Sequence, residues 1–241
     1  MRIAILSDIH GNLEAFESVL CDIGRQAVDR IVSLGDNIGY GPDSVAVVAR
    51  LMALQIPSVL GNHELVVKSP KFINWFNPQA REAVQQTLKE LTPRTQAYCR
   101  DLPRFLILNG ARLVHGFPPR SPTLYLFQIR DRRLEAYFRA AQQALVFVGH
   151  THLLNLVAFD GQKVNQTVLE QGRYPLESRS KYIVNAGSVG QPRDRDKRAK
   201  YVIWDLDDPH IEVRCVTYPV AQVIAKMAAK GYPPRYAQRL Q

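Results

Sequence analysis

The first quarter of the chain alternates short apolar runs with segments of helical periodicity. Between the first two runs, apolar residues recur every three or four positions, and Asn12 stands where a helix N-cap belongs. A second helix is predicted after Pro42. The apolar runs predict strands at residues 2–7, 30–34 and 57–60. This βαβαβ order predicts a parallel sheet with functional groups at its carboxyl edge.

The remainder of the chain has helical patterns first and strand patterns later. Residues 77–101 predict two helices broken near Thr92-Pro93, and Asn109-Gly110 is a hairpin turn signal. Further helices are predicted at residues 132–142 and at 220–230, the latter ended by Gly231. Strands are predicted at residues 102–108, 112–114, 145–148, 153–159, 163–169, 182–185, 201–204 and 212–217. We expect two sheets packed face to face with helices outside, in one domain over residues 1–241 with a helical insertion at about 70–101.

The composition narrows the class of protein. Of 241 residues, 46% are hydrophobic and 22% charged, which suffices for one sizeable core, and no apolar run reaches the length of a membrane span. Three widely separated cysteines, Cys21, Cys99 and Cys215, predict packing thiols in a reducing compartment, so a cytoplasmic protein is expected. The net charge of +9 favours anionic substrates. Its basic clusters lack accompanying aromatics or a nucleic-acid motif, so specific nucleic-acid binding is not predicted.

Five of the six histidines lie in four polar islands that follow predicted strands. The islands are Asp8-Ile9-His10, Gly61-Asn62-His63-Glu64, Val114-His115-Gly116 and Gly149-His150-Thr151-His152, with Gly35-Asp36-Asn37 after the second strand. Imidazole, carboxylate and amide groups at strand ends are the ligands that a site for two divalent cations needs. The sixth histidine, His210, follows Asp207-Asp208-Pro209 in a predicted turn and is expected at the surface.

Each island also has an ordinary structural interpretation. Asp8 and His10 share a face of an extended segment, but a capping Asp beside a loop His gives the same pattern. Asp36 has two oxygens with which to bridge cations, although Gly-Asp is common in turns. A lone His115 is more often a core residue. The pair at 150 and 152 is the strongest signal, since two imidazoles flanking one residue after a buried strand are rarely a packing choice.

The island Gly61-Asn62-His63-Glu64 offers one residue for metal binding and another for proton transfer. Asn62 offers an amide oxygen to a cation, whereas His63 points elsewhere and stays free to transfer a proton. Glu64 is expected to orient the imidazole and keep it basic enough to be protonated near neutral pH. An N-capping Asn with polar neighbours is the alternative interpretation.

In this order the islands resemble the pattern of the calcineurin-like metallophosphoesterase superfamily: D-x-H, G-D, G-N-H-[DE], a lone H and G-H-x-H. The resemblance covers essentially the whole chain. Residues 35–43 and 185–194 are similar to a small bacterial and archaeal phosphodiesterase branch, related to diadenosine tetraphosphatases and serine/threonine phosphatases. The resemblance implies an α/β fold, a four-layer αββα sandwich of two mixed β-sheets flanked by helices.

The resemblance also implies the residues of the site. One cation would be bound by Asp8, His10, Asp36 and His152. The other would be bound by Asp36, Asn62, His115 and His150. His63 would be the acid that protonates the leaving alkoxide. Beside these implied roles, we expect Glu64 to complete the catalytic pair and Asn12, Asn62 and Arg193 to contact the substrate. Such mixed ligands suit two divalent transition-metal ions, with Mn²⁺ the first expectation and Fe²⁺, Zn²⁺ or Ni²⁺ the alternatives.

The expected activity is hydrolysis of a phosphodiester in a small phosphate ester or nucleotide. A hydroxide shared by two cations about 3.5–4 Å apart would attack phosphorus, with His63 as general acid. Residues 35–41 lack the phosphate-gripping arginine that protein serine/threonine phosphatases have there, so Arg193 or Arg195 would have to replace it. A phosphomonoesterase or protein phosphatase with the same metals remains an alternative, as does a catalytically weak metal-dependent binding protein. An intact His63 argues against the latter.

Substrate specificity is expected within residues 72–101. Phe72, Trp75 and Phe76 come shortly after the Gly61-Asn62-His63-Glu64 island. The simpler interpretation is that these aromatic side chains pack the helices on the sheet, and the alternative is that they overhang the metal site. The pattern predicts no oligomeric state.

Overall fold

Eleven strands and eight α-helices make up the computed structural model, which describes residues 1–241. The strands are β1 (Arg2–Leu6), β2 (Arg30–Ser33), β3 (Phe105–Leu108), β4 (Ala111–Val114), β5 (Leu145–Val148), β6 (Leu154–Phe159), β7 (Val164–Val168), β8 (Gly172–Pro175), β9 (Lys181–Ala186), β10 (Ala199–Asp205) and β11 (His210–Val216). The helices are α1 (Leu13–Ile23), α2 (Ser44–Ala53), α3 (Asn62–Lys68), α4 (Pro78–Glu90), α5 (Pro93–Asp101), α6 (Asp131–Ala140), α7 (Val220–Ala229) and α8 (Pro234–Ala237). No helix is both long enough and apolar enough to span a membrane.

The strands form two mixed sheets. One sheet has the order β2-β1-β10-β11-β8, in which only the β1–β2 pair is parallel. The other has the order β3-β4-β5-β9-β6-β7, in which β4, β5 and β9 run parallel. Polar islands follow the carboxyl ends of four parallel strands, β1 and β2 in the first sheet and β4 and β5 in the second.

The main core lies between the two sheets. An 18-residue cluster joins side chains of β1 and β2 to side chains of β4, β5 and β9. A second cluster packs α1 and α2 on the outer face of the first sheet, and a third packs α6 on the outer face of the second. Burial on both faces explains why β5 is a continuous apolar run. The predicted α/β arrangement of two mixed sheets flanked by helices is confirmed.

Several local predictions differ from the structure. Residues 57–60 do not form the predicted strand. A single parallel bridge pairs Ser58 with Ser33, and the pairing does not extend further along the chain. β8 and α3 were not predicted: β8 has glycine and proline at its ends, and α3 is seven residues long and begins inside a polar island. His210 is not at the surface. It is the first residue of β11, it is only 5% exposed, and its ring accepts a hydrogen bond from Arg173. Cys21 is exposed and therefore not a packing residue.

An ion pair fastens α1 to the neighbouring strands. Asp22 accepts hydrogen bonds from Arg214 at 2.9 Å and from the Tyr201 hydroxyl at 2.7 Å. Burial raises the pKa of Asp22, but these two partners outweigh it and hold the pKa below the ordinary 3.8. We expect Asp22→Asn to lower the free energy of unfolding by about 1–2 kcal/mol at pH 7, measured by urea denaturation with chelator present.

The difference in unfolding free energy between wild type and Asp22→Asn should change with pH in one direction only. Because the folded pKa of Asp22 is depressed, its contribution is complete above about pH 5 and is lost as the pH falls through the folded value. The stability difference between wild type and Asp22→Asn should therefore shrink on acidification. Asp101→Asn, at an exposed helix end, is the control and should match wild type throughout. A difference that grows as the pH falls would contradict the assignment.

Candidate metal centre and substrate cavity

The polar islands meet where the two sheets present their carboxyl ends. Asp8, His10, Asp36, His150 and His152 all have positive φ, between 50° and 68°. Such a conformation costs a non-glycine residue on the order of 1–3 kcal/mol, and it concentrates at functional sites. The structure corrects the expectation that Asp8 and His10 share a face of an extended segment, because both lie in left-handed turns. Their side chains nevertheless converge.

The first group of converging atoms belongs to Asp8, His10 and His152. The Nε2 atoms of the two histidines are 3.1 Å apart. Oδ1 of Asp8 is 3.2 Å from Nε2 of His152 and 3.6 Å from Nε2 of His10. The other carboxylate oxygen of Asp8 accepts hydrogen bonds from Ser7 and from the His150 backbone. Oδ1 is buried without a hydrogen-bond partner, which leaves it free for a ligand.

The second group belongs to Asp36, Asn62, His115 and His150. Nε2 of His115 is 3.1 Å from Oδ1 of Asn62, 3.2 Å from Nδ1 of His150 and 3.2 Å from Oδ2 of Asp36. Oδ2 of Asp36 is also 3.8 Å from Nε2 of His10, in the first group. Its Oδ1 accepts from the backbone N–H of His63. A single oxygen of Asp36 therefore lies between the two groups, rather than one oxygen in each.

Hydrogen bonds fix the tautomers of these four histidines. The outer ring nitrogen of each is bonded to a backbone carbonyl: His10 to Ile38, His115 to Leu34, His150 to Thr123 and His152 to Gln191. A carbonyl oxygen only accepts, so the outer nitrogen carries the proton and the inner nitrogen presents its lone pair to the centre. This arrangement orients imidazoles as metal ligands.

The protonation states suit divalent cations. Burial lowers the pKa of His150 to about 3 and that of His152 to about 4, so both are neutral at pH 7. For His115 burial also lowers the pKa, but Asp36 outweighs it and raises the pKa to about 9. A cation bound between these groups would take the place of that proton, since a ligating imidazole is neutral. The unpartnered Asp8 oxygen, the inward lone pairs and the two carboxylates together fit two divalent ions.

His63 differs from the other four histidines. Its Nε2 lies 4.0 Å from Oδ2 of Asp36, while its Nδ1 is buried without any partner. The ring packs against Tyr40 and Phe76. Nδ1 lies directly over Gly39, where any Cβ would stand 2.1 Å away, so no side chain fits there to orient the imidazole. Burial holds the pKa of His63 well below its usual 6.5, opposed by Asp36.

The structure contradicts the expected pairing of Glu64 with His63. Glu64 is fully buried, and its carboxylate accepts hydrogen bonds from the backbone N–H groups of Asp36, Asn37 and Gly61. Burial raises the pKa of Glu64 to about 7, with the Asp36 carboxylate adding to the rise and the Asn37 backbone N–H opposing it. Glu64 therefore holds the loop that carries Asp36 through backbone hydrogen bonds and is not paired with the His63 imidazole.

Asn12 is likewise occupied structurally. Its Oδ1 accepts from Ala15 as the N-cap of α1, which confirms the predicted cap, and its Nδ2 donates to the carbonyl of Gly190. The side chain is 1% exposed and lies outside the cavity lining. The structure therefore gives Asn12 two partners inside the fold and does not bring it to the cavity lining, so the expected substrate contact stays a prediction.

The segment 185–193 supports the centre, a role that the sequence did not reveal. Asn185 donates to the Gly149 carbonyl and to Thr151 Oγ1, which holds the loop with His150 and His152. Ser188 donates to the Asp8 carbonyl. Tyr125, which the sequence did not single out either, stacks on His150 with ring centroids 3.8 Å apart.

A cavity of about 630 Å³ opens over the two groups. Asp36, Asn62, His63, His150 and His152 form its floor. Arg193 lines it and is exposed, whereas Arg195 does not line it. Phe72, Trp75 and Phe76 form one wall, and Trp75 is 69% exposed. The expectation that these aromatics only pack helices on the sheet is thus wrong for Trp75, which overhangs the site.

The comparisons agree with this geometry. The calcineurin-like phosphoesterase superfamily domain matches residues 1–209. The chain belongs to the calcineurin-like phosphoesterase superfamily and is a metallophosphoesterase, as the sequence resemblance indicated.

Three relatives illustrate the match. An uncharacterized protein of Methanocaldococcus jannaschii is 32% identical over 99% of this chain and 96% of its own length. The crystal structure of a metallophosphoesterase from Sphaerobacter thermophilus is 37% identical, with a TM-score of 0.84, and the match covers 100% of this chain and 98% of that one. A symmetrical bis(5'-nucleosyl)-tetraphosphatase of an Acidovorax species is 34% identical over 91 residues, 36% of this chain and 32% of its own.

Proposed function

We propose that the protein is a binuclear metal-dependent phosphodiesterase in which His63 is the general acid. The observation that carries the proposal is the contrast among five histidines that share one site. Four have their outer nitrogen bonded to a carbonyl and their inner nitrogen aimed at the carboxylates, whereas His63 has no such carbonyl partner.

The seven ligands fall into the two groups that the geometry brings together. Asp8, His10 and His152 would hold one ion, Asn62, His115 and His150 the other, and Asp36 would reach both through Oδ2. Two bound divalent ions would neutralise charge on the phosphoryl oxygens and would lower the pKa of a bound water toward about 7. The donor set mixes oxygen and nitrogen, which suits Mn²⁺, Fe²⁺, Zn²⁺ or Ni²⁺, and Mn²⁺ stays the first expectation among them.

His63 would protonate the leaving oxygen. Its Nε2 side faces the centre near Asp36, and its Nδ1 side is closed off by Gly39. In the free site burial keeps the imidazole neutral, but an anionic phosphodiester beside it stabilises the imidazolium and raises its pKa. The acid would therefore be formed when the substrate binds. Arg193 would contact the phosphoryl group from the cavity wall.

A diester is favoured over a monoester because the cavity extends well beyond the reacting centre. A phosphodiester has substituents on both sides of phosphorus, and the aromatic and basic walls offer surface to the second one. The short match to a tetraphosphatase, whose name specifies a nucleotide substrate, supports a small nucleotide-like ester. A cytoplasmic location stays a prediction.

The direct test compares two chromogenic substrates. With Mn²⁺ we expect kcat/KM for bis-p-nitrophenyl phosphate to exceed that for p-nitrophenyl phosphate by about tenfold or more, because the cavity offers surface to the second substituent of a diester. Chelator should abolish both activities. A preference for the monoester would indicate a phosphomonoesterase, and no turnover of either would favour a metal-dependent binding protein.

A further inference from the structure

The cavity extends away from the metal ligands between two segments that the proposed mechanism does not use. One is the 3₁₀ helix Pro70–Trp75, and the other is the C-terminal segment that carries Arg239. Arg239 lies beyond residue 209, where the match to the superfamily domain ends. Side chains from both segments line the cavity, where a bound substrate would contact them.

Trp75 provides an exposed aromatic face. It is 69% exposed, and Phe72 supports it with ring centroids 4.8 Å apart in an edge-on arrangement. The other tryptophan, Trp204, is 8% exposed and packs on Phe147 in the core. An exposed indole that lines the cavity is a surface on which flat rings stack, and bases of any sequence are suited to it.

The cations of this cavity lack acidic partners. Arg193 and Lys197 form no hydrogen bond or ion pair, and Arg239 donates only to the neutral Gln79. Other basic residues of the C-terminal segment are paired, for instance Arg235 with Glu82. Asp36, already assigned to the metals, is the one acid in the lining. The cavity thus has an excess of positive charge that attracts a second anionic group.

Both cationic segments are held in place. Tyr232, Tyr236 and Leu240 pack against α4 in one cluster with Tyr40, which anchors the segment that carries Arg239. Lys200 is 1% exposed and donates to Asp194 and to two backbone carbonyls, which fastens the loop that carries Arg193 and Lys197. A preorganised set of charges binds an anion at lower entropic cost than mobile side chains.

We infer that the substrate is a nucleotide with at least one phosphoryl group beyond the one that is hydrolysed. Its base stacks on Trp75, and Lys197 and Arg239 hold the additional phosphoryl group. The inference rests on the proposed phosphoesterase function of the same cavity, and it names Trp75 and Arg239 as specificity-determining residues.

Binding tests the inference independently of turnover. ADP, AMP and ribose 5-phosphate are titrated into the Mn²⁺-loaded protein and again into the chelated protein, with tryptophan fluorescence and calorimetry as readouts. ADP should quench fluorescence saturably, bind about 10-fold more tightly than AMP, and AMP should bind about 10-fold more tightly than ribose 5-phosphate.

Variants assign the two contributions. Trp75→Ala should weaken ADP about 10-fold by calorimetry and leave ribose 5-phosphate unchanged, and Trp75→Phe should restore most of the affinity. Arg239→Gln should abolish most of the ADP preference over AMP. The matched control Arg235→Gln, on the same segment but paired with Glu82 outside the cavity, should leave it intact.

Two outcomes would overturn the inference. One is equal affinity for AMP and ribose 5-phosphate, which would show that the base does not stack on Trp75. The other is a preference for ADP over AMP that Arg239→Gln leaves unaltered, which would show that Arg239 does not bind the additional phosphoryl group. Failure of the phosphodiesterase proposal is separate, because it appears as absent hydrolysis of bis-p-nitrophenyl phosphate with these binding results unchanged.

Discussion

Asp36→Asn is expected to reduce kcat for phosphodiester hydrolysis by about 10³-fold or more. Oδ2 of Asp36 lies within 4 Å of nitrogen atoms from both groups of ligands, 3.2 Å from His115 and 3.8 Å from His10. A neutral amide there removes a negative charge from the point where two cations would meet. A loss of about 4 kcal/mol of charge stabilisation corresponds to about 10³-fold in rate.

Metal content distinguishes this effect from misfolding. The Asn side chain can still accept the backbone hydrogen bond from His63 through its oxygen, so the loop should keep its shape. Mass spectrometry of the purified variant should find fewer than two metal ions per chain while the circular dichroism spectrum stays that of wild type. Asp101→Asn, an exposed carboxylate removed from a helix end, serves as the charge control. Wild-type rates in Asp36→Asn would exclude a bridging role.

Periodicity predicted most of the fold, and it failed where burial is one-sided or the element is short. β5 and β9 are buried on both faces and were evident as apolar runs. β8 has few apolar residues and depends on pairing with β11, a contact across 35 or more residues that no local pattern encodes. α3 was missed because its first turn consists of the polar residues Asn62, His63 and Glu64.

For the candidate site, residue types predicted which groups come together but not which atoms face each other. Histidine and aspartate at strand ends indicated the convergence, because parallel strands place their carboxyl ends at one edge. The prediction that Glu64 orients His63 was wrong. Glu64 accepts hydrogen bonds from the backbone N–H groups of Asp36 and Asn37, which lie 28 and 27 residues earlier in the chain. Trp75 and Arg239 share a cavity only through the docking of the C-terminal segment on α4, which a sequence pattern does not contain.

His63→Gln is expected to slow hydrolysis by about 10²–10⁴-fold when the leaving group is a ribose alkoxide, as in a dinucleoside monophosphate. Glutamine approximates the length of the imidazole but supplies no proton at neutral pH, and it avoids the cavity that His63→Ala would leave at a buried position. Both variants should retain two metal ions per chain, because the four ligating imidazoles are oriented by carbonyls that neither change touches. His210→Gln is the matched control, since His210 is also buried but lies on β11, outside the cavity lining.

The dependence on leaving group decides whether His63 acts as an acid. p-Nitrophenolate departs without a proton, so the loss on bis-p-nitrophenyl phosphate should be much smaller than the loss on the dinucleoside monophosphate. A residue that only shapes the cavity would slow both substrates by the same factor, and a metal ligand would lower the metal content of the variant. Equal losses on the two substrates, or fewer than two ions per chain, would therefore assign His63 to positioning or to ligation. A selective loss on the alkoxide leaving group with full metal content is the one combination that general acid catalysis predicts, because only then does the imidazole act on the departing oxygen and on nothing else in the centre.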